Sequence, residues 1–234
     1  NIAALGATAC LVGMVGDDDV GHKLLGLLGS TGGQAASGTH GSGTQAASGT
    51  HVAGDPKAAS GAGLGGGAEV GGSVECSRVL QTAGRATISK TRFLAGAKLT
   101  QRQQVLRLDR QPPKPPDAKL IRSLRDKVAE VDGQVDAWVA SDYGYGGFDQ
   151  KLRDLLREIA GRKPVLADSR WELTRFAGLT LLKPNEEEAR AAAHELGLAA
   201  SDEVVLAGEL AARLEAQGVL ITMGNKGMVL SSQG

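Results

Sequence analysis

The chain has 234 residues, of which 41% are hydrophobic, and its 26 Lys and Arg residues equal its 26 Asp and Glu residues in number. This length supports a buried core, and the balanced charge gives no basic field to hold nucleic acid or an anionic membrane. Only 3% of the residues are aromatic, which also argues against a base-stacking surface.

The first predicted elements are a strand in "ACLVGMVG", an acidic turn in "DDDVG" and a short helix in "HKLLGLLG". The apolar start has no basic segment and is interrupted by glycines, which is atypical of a signal peptide or a membrane span. Cys10 and Cys76 lack CxxC spacing, which favours free thiols in a reducing cytoplasm. Because the chain opens on Asn1 within a pattern and stops just after a predicted strand, we expect it to be incomplete at both termini.

Residues 30–84 interrupt this pattern with Gly, Ala, Ser and Thr, and "QAASGTH" occurs twice, at 34–40 and 45–51. Such a composition has too little apolar surface to offset the entropy of ordering, so it predicts a flexible low-complexity insertion. The glycine run "GAGLGGGA" at 61–68 follows no predicted strand and opens no helix. We therefore do not interpret it as a nucleotide-binding loop.

Residues 85–111 contain two predicted β-strands, "ATISKTRFLAG" and "RQQVLRLDRQ", joined by a short loop. The period of two places Lys90 with Arg92 on one face of the first strand, and Arg107 with Asp109 on one face of the second. This charged face is explained equally well by a solvated exterior and by a surface that binds a polar ligand.

In residues 117–234, predicted strands alternate with predicted helices. The helices are "DAKLIRSLRDKVAEV", "FDQKLRDLLREIAGR" and "LAGELAARLEAQG", and "VLITMGNKGMVLSS" is a strand, a glycine turn and a strand. This alternation predicts an α/β fold with a doubly wound, mostly parallel sheet, in which ligands bind beyond the carboxyl ends of the strands. The polar residues predicted at those ends are Asp142, Asp168, Asn185 and Thr222.

The stretch "LLKPNEEEARAA", residues 181–192, places a Pro-Asn corner between a strand and a helix. Pro184 ends the strand, and Asn185 is the predicted N-cap of a helix whose first turn carries three glutamates, where the helix dipole favours negative charge. Helix capping by itself explains this stretch, so a functional interpretation needs further motifs.

Five motifs, in one order, resemble those of the ribokinase-like (PfkB) carbohydrate kinases, and most closely the branch that phosphorylates D-glycero-D-manno-heptose 7-phosphate during ADP-heptose synthesis. They are the start "NIAALGATACLVGMVGDDDVG", the lid strands "TISKTRFLAG" and "RQQVLRLDR", the loop "ASDYGYGGF", the corner "LLKPNEEE" and the nucleotide turn "ITMGNKG". The resemblance implies a partial carbohydrate kinase domain over residues 1–234, with a ribokinase-like fold and a small β-strand lid. It also implies a cytoplasmic enzyme that transfers phosphate from ATP to the anomeric hydroxyl of a sugar phosphate.

The resemblance further implies a nucleotide site and a substrate site. In this family the Asn and the final Glu of the corner lie near the magnesium ion and the phosphates of ATP, which points to Asn185 and Glu188, with Glu188 holding Mg²⁺ through water. The glycine turn implies nucleotide contacts from Thr222, Gly224 and Gly227, although a plain glycine hairpin would have the same residues. The residues implied for the sugar phosphate are Lys90, Arg92, Arg107, Asp109 and Asp142.

Three features depart from the family pattern. Tyr145 replaces the lysine of the family loop, the insertion precedes the lid, and no Gly-Ala-Gly-Asp motif follows the nucleotide turn. That motif supplies the family's anion hole and aspartate base, so we expect no catalytic base within these residues. Two hypotheses stay open: an incomplete kinase for this or another sugar, and a catalytically silent nucleotide-binding or assembly module. A homodimer and a fused nucleotidyltransferase domain, present in some relatives, are compatible with both.

Overall fold

The computed structural model describes residues 2–30, 72–95, 103–199 and 202–232. They form two compact units, Asn1–Pro113 and Lys114–Gly234. The division falls inside the proline-rich segment "QPPKPP", between the predicted lid strands and the predicted α/β part.

The first unit contains two small sheets. One sheet is a parallel pair of strands and the other is an antiparallel pair. The antiparallel pair consists of the two strands that were predicted within residues 85–111, which confirms those strands. In chain order the elements are a 3₁₀ turn (Ala3–Leu5), β1 (Ala9–Gly16), α1 (Asp19–Ser30), β2 (Val74–Thr82), β3 (Ser89–Ala95) and β4 (Gln103–Arg110).

Strand β2 corrects the predicted insertion of residues 30–84. Its sequence "VECSRVLQT" pairs in parallel with β1, from Ala9 opposite Val74 to Gly16 opposite Thr82. The prediction was wrong here because these strand-forming residues were grouped with the glycine-rich and alanine-rich sequence that precedes them. Residues 31–71 of the predicted insertion lie outside the described residues.

The acidic turn after β1 is held by one carboxylate. Asp18 accepts hydrogen bonds from the Thr87 hydroxyl (2.6 Å), the Thr87 amide (2.9 Å) and the Gly21 amide (2.9 Å). These bonds, the Thr87 hydroxyl first, lower the pKa of Asp18 to about 2. A Cβ atom on Gly16 would lie 2.1 Å from the carbonyl oxygen of Arg85, so the turn also needs a glycine at that position. The V-G-D-D-x-x-G pattern therefore has a structural role in this unit.

The second unit is built on a five-stranded sheet in the order β5-β6-β7-β8-β9. The first four strands are parallel and β9 is antiparallel, which confirms the predicted mostly parallel α/β sheet, and the strands follow one another in chain order. The elements are α2 (Ala118–Val131), β5 (Trp138–Asp142), α3 (Gln150–Ala160), β6 (Val165–Ser169), β7 (Leu181–Leu182), α4 (Glu186–Glu195), α5 (Glu203–Arg213), β8 (Gly218–Thr222) and β9 (Met228–Ser232).

The core of this unit lies between the sheet and the apolar faces of the helices. Helix α3 buries Leu152, Leu156 and Ile159, which recur at helical spacing, and the sheet buries Val165 and Leu182 completely. Burial of one such aliphatic side chain contributes about 1.5–3 kcal/mol. Of the helices in the described part of the chain, none combines the length and apolarity needed to cross a membrane.

Candidate functional site

A cavity of about 430 Å³ opens in the second unit where the parallel strands end. Because neighbouring parallel strands point the same way, the residues at and just beyond their carboxyl ends meet at one edge of the sheet. All four polar residues predicted for that edge, Asp142, Asp168, Asn185 and Thr222, contribute to the cavity wall. The structure therefore brings them together, while their roles stay predictions.

Asn185 and Glu188 form a reciprocal cap at the start of α4. The Asn185 side-chain oxygen accepts the Glu188 amide at 2.8 Å, and Glu188 Oε2 accepts the Asn185 amide at 2.9 Å. The predicted N-cap is confirmed, and Glu188 adds a direct hydrogen bond to the cap that the sequence analysis missed. The Pro184 carbonyl accepts the Thr222 amide at 3.0 Å, which joins this corner to the end of β8. The cap thus engages Oε2, one of the two carboxylate oxygens of Glu188.

Asp142 is buried and organises the loop after β5. Its Oδ1 atom accepts the Gly144 amide at 2.9 Å, and its Oδ2 atom accepts the Ser169 hydroxyl at 3.1 Å. Gly144 has a φ of +75°, and a Cβ atom there would lie 2.7 Å from Cδ1 of Trp171. The loop "SDYGYGG" thus needs a glycine at this position for its conformation and for the approach of Trp171. Asp142 holds the cavity wall in shape, and its contact with substrate stays a prediction.

Arg170, Trp171 and Lys183 are among the cavity-wall residues that were not predicted from the sequence. The Arg170 guanidinium lies 5.0 Å from the centre of the Trp171 ring, and 69% of Trp171 is exposed. Lys183 Nζ lies 2.9 Å from Asp168 Oδ2. A tryptophan in the polar stretch "DSRWEL", just after a buried strand, was the sequence signal that could have indicated an exposed aromatic residue here.

The cavity wall is acidic. A polyphosphate would be repelled by such a wall unless a cation accompanied it. Among the described residues no three His, Cys, Asp or Glu side chains are grouped as a metal cage requires. The charged residues are the carboxylates Asp142, Asp168, Glu187, Glu188 and Glu195 and the cations Arg170 and Lys183.

The predicted nucleotide turn follows β8. Thr222 lies in the cavity wall, and the two glycines lie in the turn beyond it. Gly224 and Gly227 have φ values of +59° and +97°, and a Cβ atom on either would meet nothing within 4 Å. Backbone conformation, rather than crowding, therefore explains both glycines in this structure. Lys226 Nζ lies 3.2 Å from Glu186 Oε2, which connects the turn to the first residue of α4.

The predicted lid face lies in the first unit, on β3 and β4. Lys90 stands opposite Asp109, and Arg92 stands opposite Arg107, so the two predicted pairs share a single face. Arg107 binds Asp109 through two hydrogen bonds of 2.8 and 2.5 Å, and the bonding from Arg107 is the main cause of the lowered pKa of Asp109. The face carries opposite charges in contact, and sugar phosphate binding there stays a prediction.

The fold and the cavity define an α/β protein with a ligand cavity at the carboxyl ends of a mostly parallel sheet. Residues 149–234 match the model of the pfkB family carbohydrate kinases. The bifunctional protein HldE of Caulobacter vibrioides is 31% identical over 237 aligned residues, which cover 99% of this chain and 38% of that protein. The chain thus spans under two-fifths of the length of this curated relative.

Two solved structures share this fold. Phosphofructokinase-2 from Escherichia coli, in complex with potassium, has a TM-score of 0.57 at 16% identity and covers 99% of this chain and 61% of its own. Ribokinase from Arabidopsis thaliana, complexed with ribose and ATP, has a TM-score of 0.52 at 15% identity and covers 99% and 62%. The predicted ribokinase-like fold is confirmed.

Proposed function

We propose that this chain is part of an ATP-dependent sugar kinase that phosphorylates D-glycero-D-manno-heptose 7-phosphate at its anomeric hydroxyl, giving the 1,7-bisphosphate, in the cytoplasm. The cavity carries the proposal, because its wall gathers Asn185, Glu188 and Thr222 beside acidic strand ends. All three residues lie within the segment that matches the carbohydrate kinase family. The order of the sequence motifs, and the similarity to HldE over nearly the whole chain, support the heptose branch.

The residues of the corner would serve the nucleotide and its magnesium ion. Asn185 and Glu188 would hold Mg²⁺ through water, and the ion, when bound, offsets charge on the β- and γ-phosphate oxygens. The cap keeps both side chains in place before the ligand arrives, which lowers the entropy lost on binding. Thr222 and the turn at Gly224 and Gly227 would face the nucleotide, since positive φ values turn backbone amides in directions that other residues rarely allow.

The sequence analysis also predicts substrate residues in each unit. Asp142 would accept a hydrogen bond from a sugar hydroxyl, and Lys90, Arg92 and Arg107 would bind the sugar phosphate with Asp109 orienting Arg107. We also propose an accompanying nucleotidyltransferase domain, since the relative is named a bifunctional protein and this chain covers 38% of it. A homodimer stays a prediction that analytical ultracentrifugation tests.

Catalysis also requires a base close to the acceptor hydroxyl and donors aimed at the migrating phosphoryl group. In the resembled family both come from the Gly-Ala-Gly-Asp motif, which residues 1–234 do not contain. We therefore expect these residues to bind MgATP but to transfer phosphate slowly. Loss of a general base alone lowers turnover by about 10²- to 10⁴-fold.

A coupled ADP-release assay tests the proposal. It compares this chain with the product of the whole reading frame that encodes it, with heptose 7-phosphate, fructose 6-phosphate and ribose as acceptors, while calorimetry measures MgATP binding to both proteins. We expect both to bind MgATP, and only the longer product to turn over rapidly, with heptose 7-phosphate preferred. Equal turnover would place the base within Asn1–Gly234. Preference for another acceptor would refute the assignment of heptose 7-phosphate as the substrate. Failure of both proteins to bind MgATP would refute the proposed kinase function.

A further inference from the structure

A largely exposed tryptophan lies in the wall of the cavity. Trp171 follows β6 and is 69% exposed, although an indole ring is one of the largest apolar groups that a protein can bury. A ring with this exposure has little contact with the core and so contributes little to folding. Stability alone is therefore a weak explanation for a tryptophan at this position.

Two contacts hold the Trp171 ring. The Arg170 guanidinium lies 5.0 Å from the ring centre, as a cation over an aromatic face does. At the ring edge, Cδ1 lies so close to Gly144 that a Cβ atom on this glycine would be 2.7 Å from it. The Arg170 amide also donates to the Asp142 carbonyl at 3.0 Å, which fixes the backbone beside the ring. One face and one edge are thus covered, and the exposed remainder includes the opposite face.

The order of the strands places Trp171 away from the predicted nucleotide turn. Along the sheet β5-β6-β7-β8-β9, this turn follows β8 and the Asn185 corner follows β7, whereas Trp171 follows β6 and Asp142 ends β5. In phosphoryl transfer the attacking and leaving oxygens lie roughly in line, on opposite sides of the phosphoryl group. A nucleotide that extends from the β8 turn to the β7 corner therefore leaves the ends of β6 and β5 for the acceptor.

The groups in this part of the wall match the two kinds of surface that a sugar presents. A sugar ring has C–H groups on its faces, which pack on an aromatic ring, and hydroxyl groups at its edges, which donate to carboxylates. The wall includes the apolar residues Leu173 and Ala192, and also Asp142. Each Asp142 oxygen accepts one hydrogen bond and has capacity for a second. An adenine ring would also stack on an indole, but here it would lie beyond the corner from the nucleotide turn.

We propose that Trp171 is a sugar-binding residue whose open face packs against the ring of the acceptor, with Arg170 holding the indole in place. This inference rests on the proposed function for its choice of a sugar, and it assigns a contact on the acceptor side of the same cavity. Covering about 55 Å² of apolar surface corresponds to about a factor of ten in affinity. Trp171 thus strengthens sugar binding and leaves nucleotide binding unchanged.

Steady-state kinetics of the product of the whole reading frame test the inference, with heptose 7-phosphate, fructose 6-phosphate and ribose as acceptors. Trp171→Ala removes the ring, and Trp171→Phe is the matched variant that keeps an aromatic face. Trp171→Ala should raise the KM for the preferred acceptor about 10-fold and the KM for ATP by less than about twofold, whereas Trp171→Phe should retain most of the sugar affinity. An unchanged sugar KM in Trp171→Ala, or an ATP KM that rises as much as the sugar KM, would overturn the inference.

Tryptophan fluorescence of the same proteins gives a measurement that needs no turnover. The difference in emission between the wild type and Trp171→Phe isolates the signal of Trp171. A sugar that covers the ring should move this signal to shorter wavelength, because the indole loses contact with water, and MgATP alone should not. If none of the three sugars changes the signal, or if MgATP changes it as much as a sugar does, the inference is wrong.

The outcomes separate this inference from the proposed function. If the wild type does not bind MgATP, the proposed function fails, while a sugar-dependent signal of Trp171 would still support the sugar contact. Melting curves of both variants, expected to lie close to that of the wild type because the ring is largely exposed, confirm that each is folded.

Discussion

The turn after β1 allows a prediction about stability and pH. Asp18 accepts three hydrogen bonds, and its pKa falls from 3.8 to about 2 in the folded protein. A lowering of this size corresponds to about 2.4 kcal/mol if the whole effect reaches the folding equilibrium. Since the carboxylate is partly exposed, screening by solvent reduces this value, and we expect Asp18→Asn to lose about 1 kcal/mol at neutral pH.

The lowered pKa of Asp18 determines how the stability of the folded protein changes with pH. The stabilisation by Asp18 is fully present above 3.8, the pKa of the carboxyl in the unfolded chain, and it is lost as the pH falls towards 2. At pH 3 the unfolded chain binds a proton at this position while the folded chain largely does not. Between pH 6 and pH 3 the wild type should therefore lose roughly 0.5–1 kcal/mol more stability than Asp18→Asn does.

Urea unfolding followed by circular dichroism at pH 6 and pH 3 measures this difference. Asp19→Asn is a matched control, because Asp19 is a neighbouring exposed carboxylate, whereas Asp18 is the one that accepts the hydrogen bonds from Thr87 and Gly21. The control should lose stability with falling pH as the wild type does. If Asp18→Asn also declines in parallel with the wild type, the hydrogen bonds to Asp18 do not contribute to folding as the structure indicates.

Substitutions at three further positions are informative. Glu188→Gln retains a hydrogen-bonding cap, so its free energy of unfolding should lie within about 0.5 kcal/mol of the wild type, whereas Glu188→Ala should lose about 1 kcal/mol. Both variants should weaken MgATP binding in calorimetry. Unchanged binding would remove Glu188 from the site. In the longer product, Arg107→Ala should raise the KM for heptose 7-phosphate more than that for ATP, and an unchanged sugar KM would assign Arg107 to a solvated face. Asp132 accepts hydrogen bonds from Trp138 (2.9 Å) and Arg162 (2.5 Å), so Asp132→Ala should lower the free energy of unfolding by about 2 kcal/mol; a loss below about 0.5 kcal/mol would contradict a structural role.

Local interactions account for what was predictable in this chain. The cap at Asn185 depends on residues three positions apart, and the buried face of α3 depends on helical spacing, so both are visible in a short stretch of sequence. The edge of the sheet where Asp142 and Thr222 meet was also predictable, because parallel strands have one functional end. The strand β2 was missed, since its partner β1 is separated from it by the whole low-complexity segment.

The sequence by itself determined the fold class and the polar residues at the strand ends, because those depend on periodicity, capping and motifs with short spacing. Only the tertiary structure decided which charges meet. Lys183 reaches Asp168 because β6 pairs with β7, and Lys90 faces Asp109 because β3 and β4 pair in one particular register. Such contacts join residues that are 15 or more positions apart, and neither residue type nor spacing along the chain specifies them. The acidic cavity with its lysine is therefore a property of strand pairing, which no single stretch of the sequence contains.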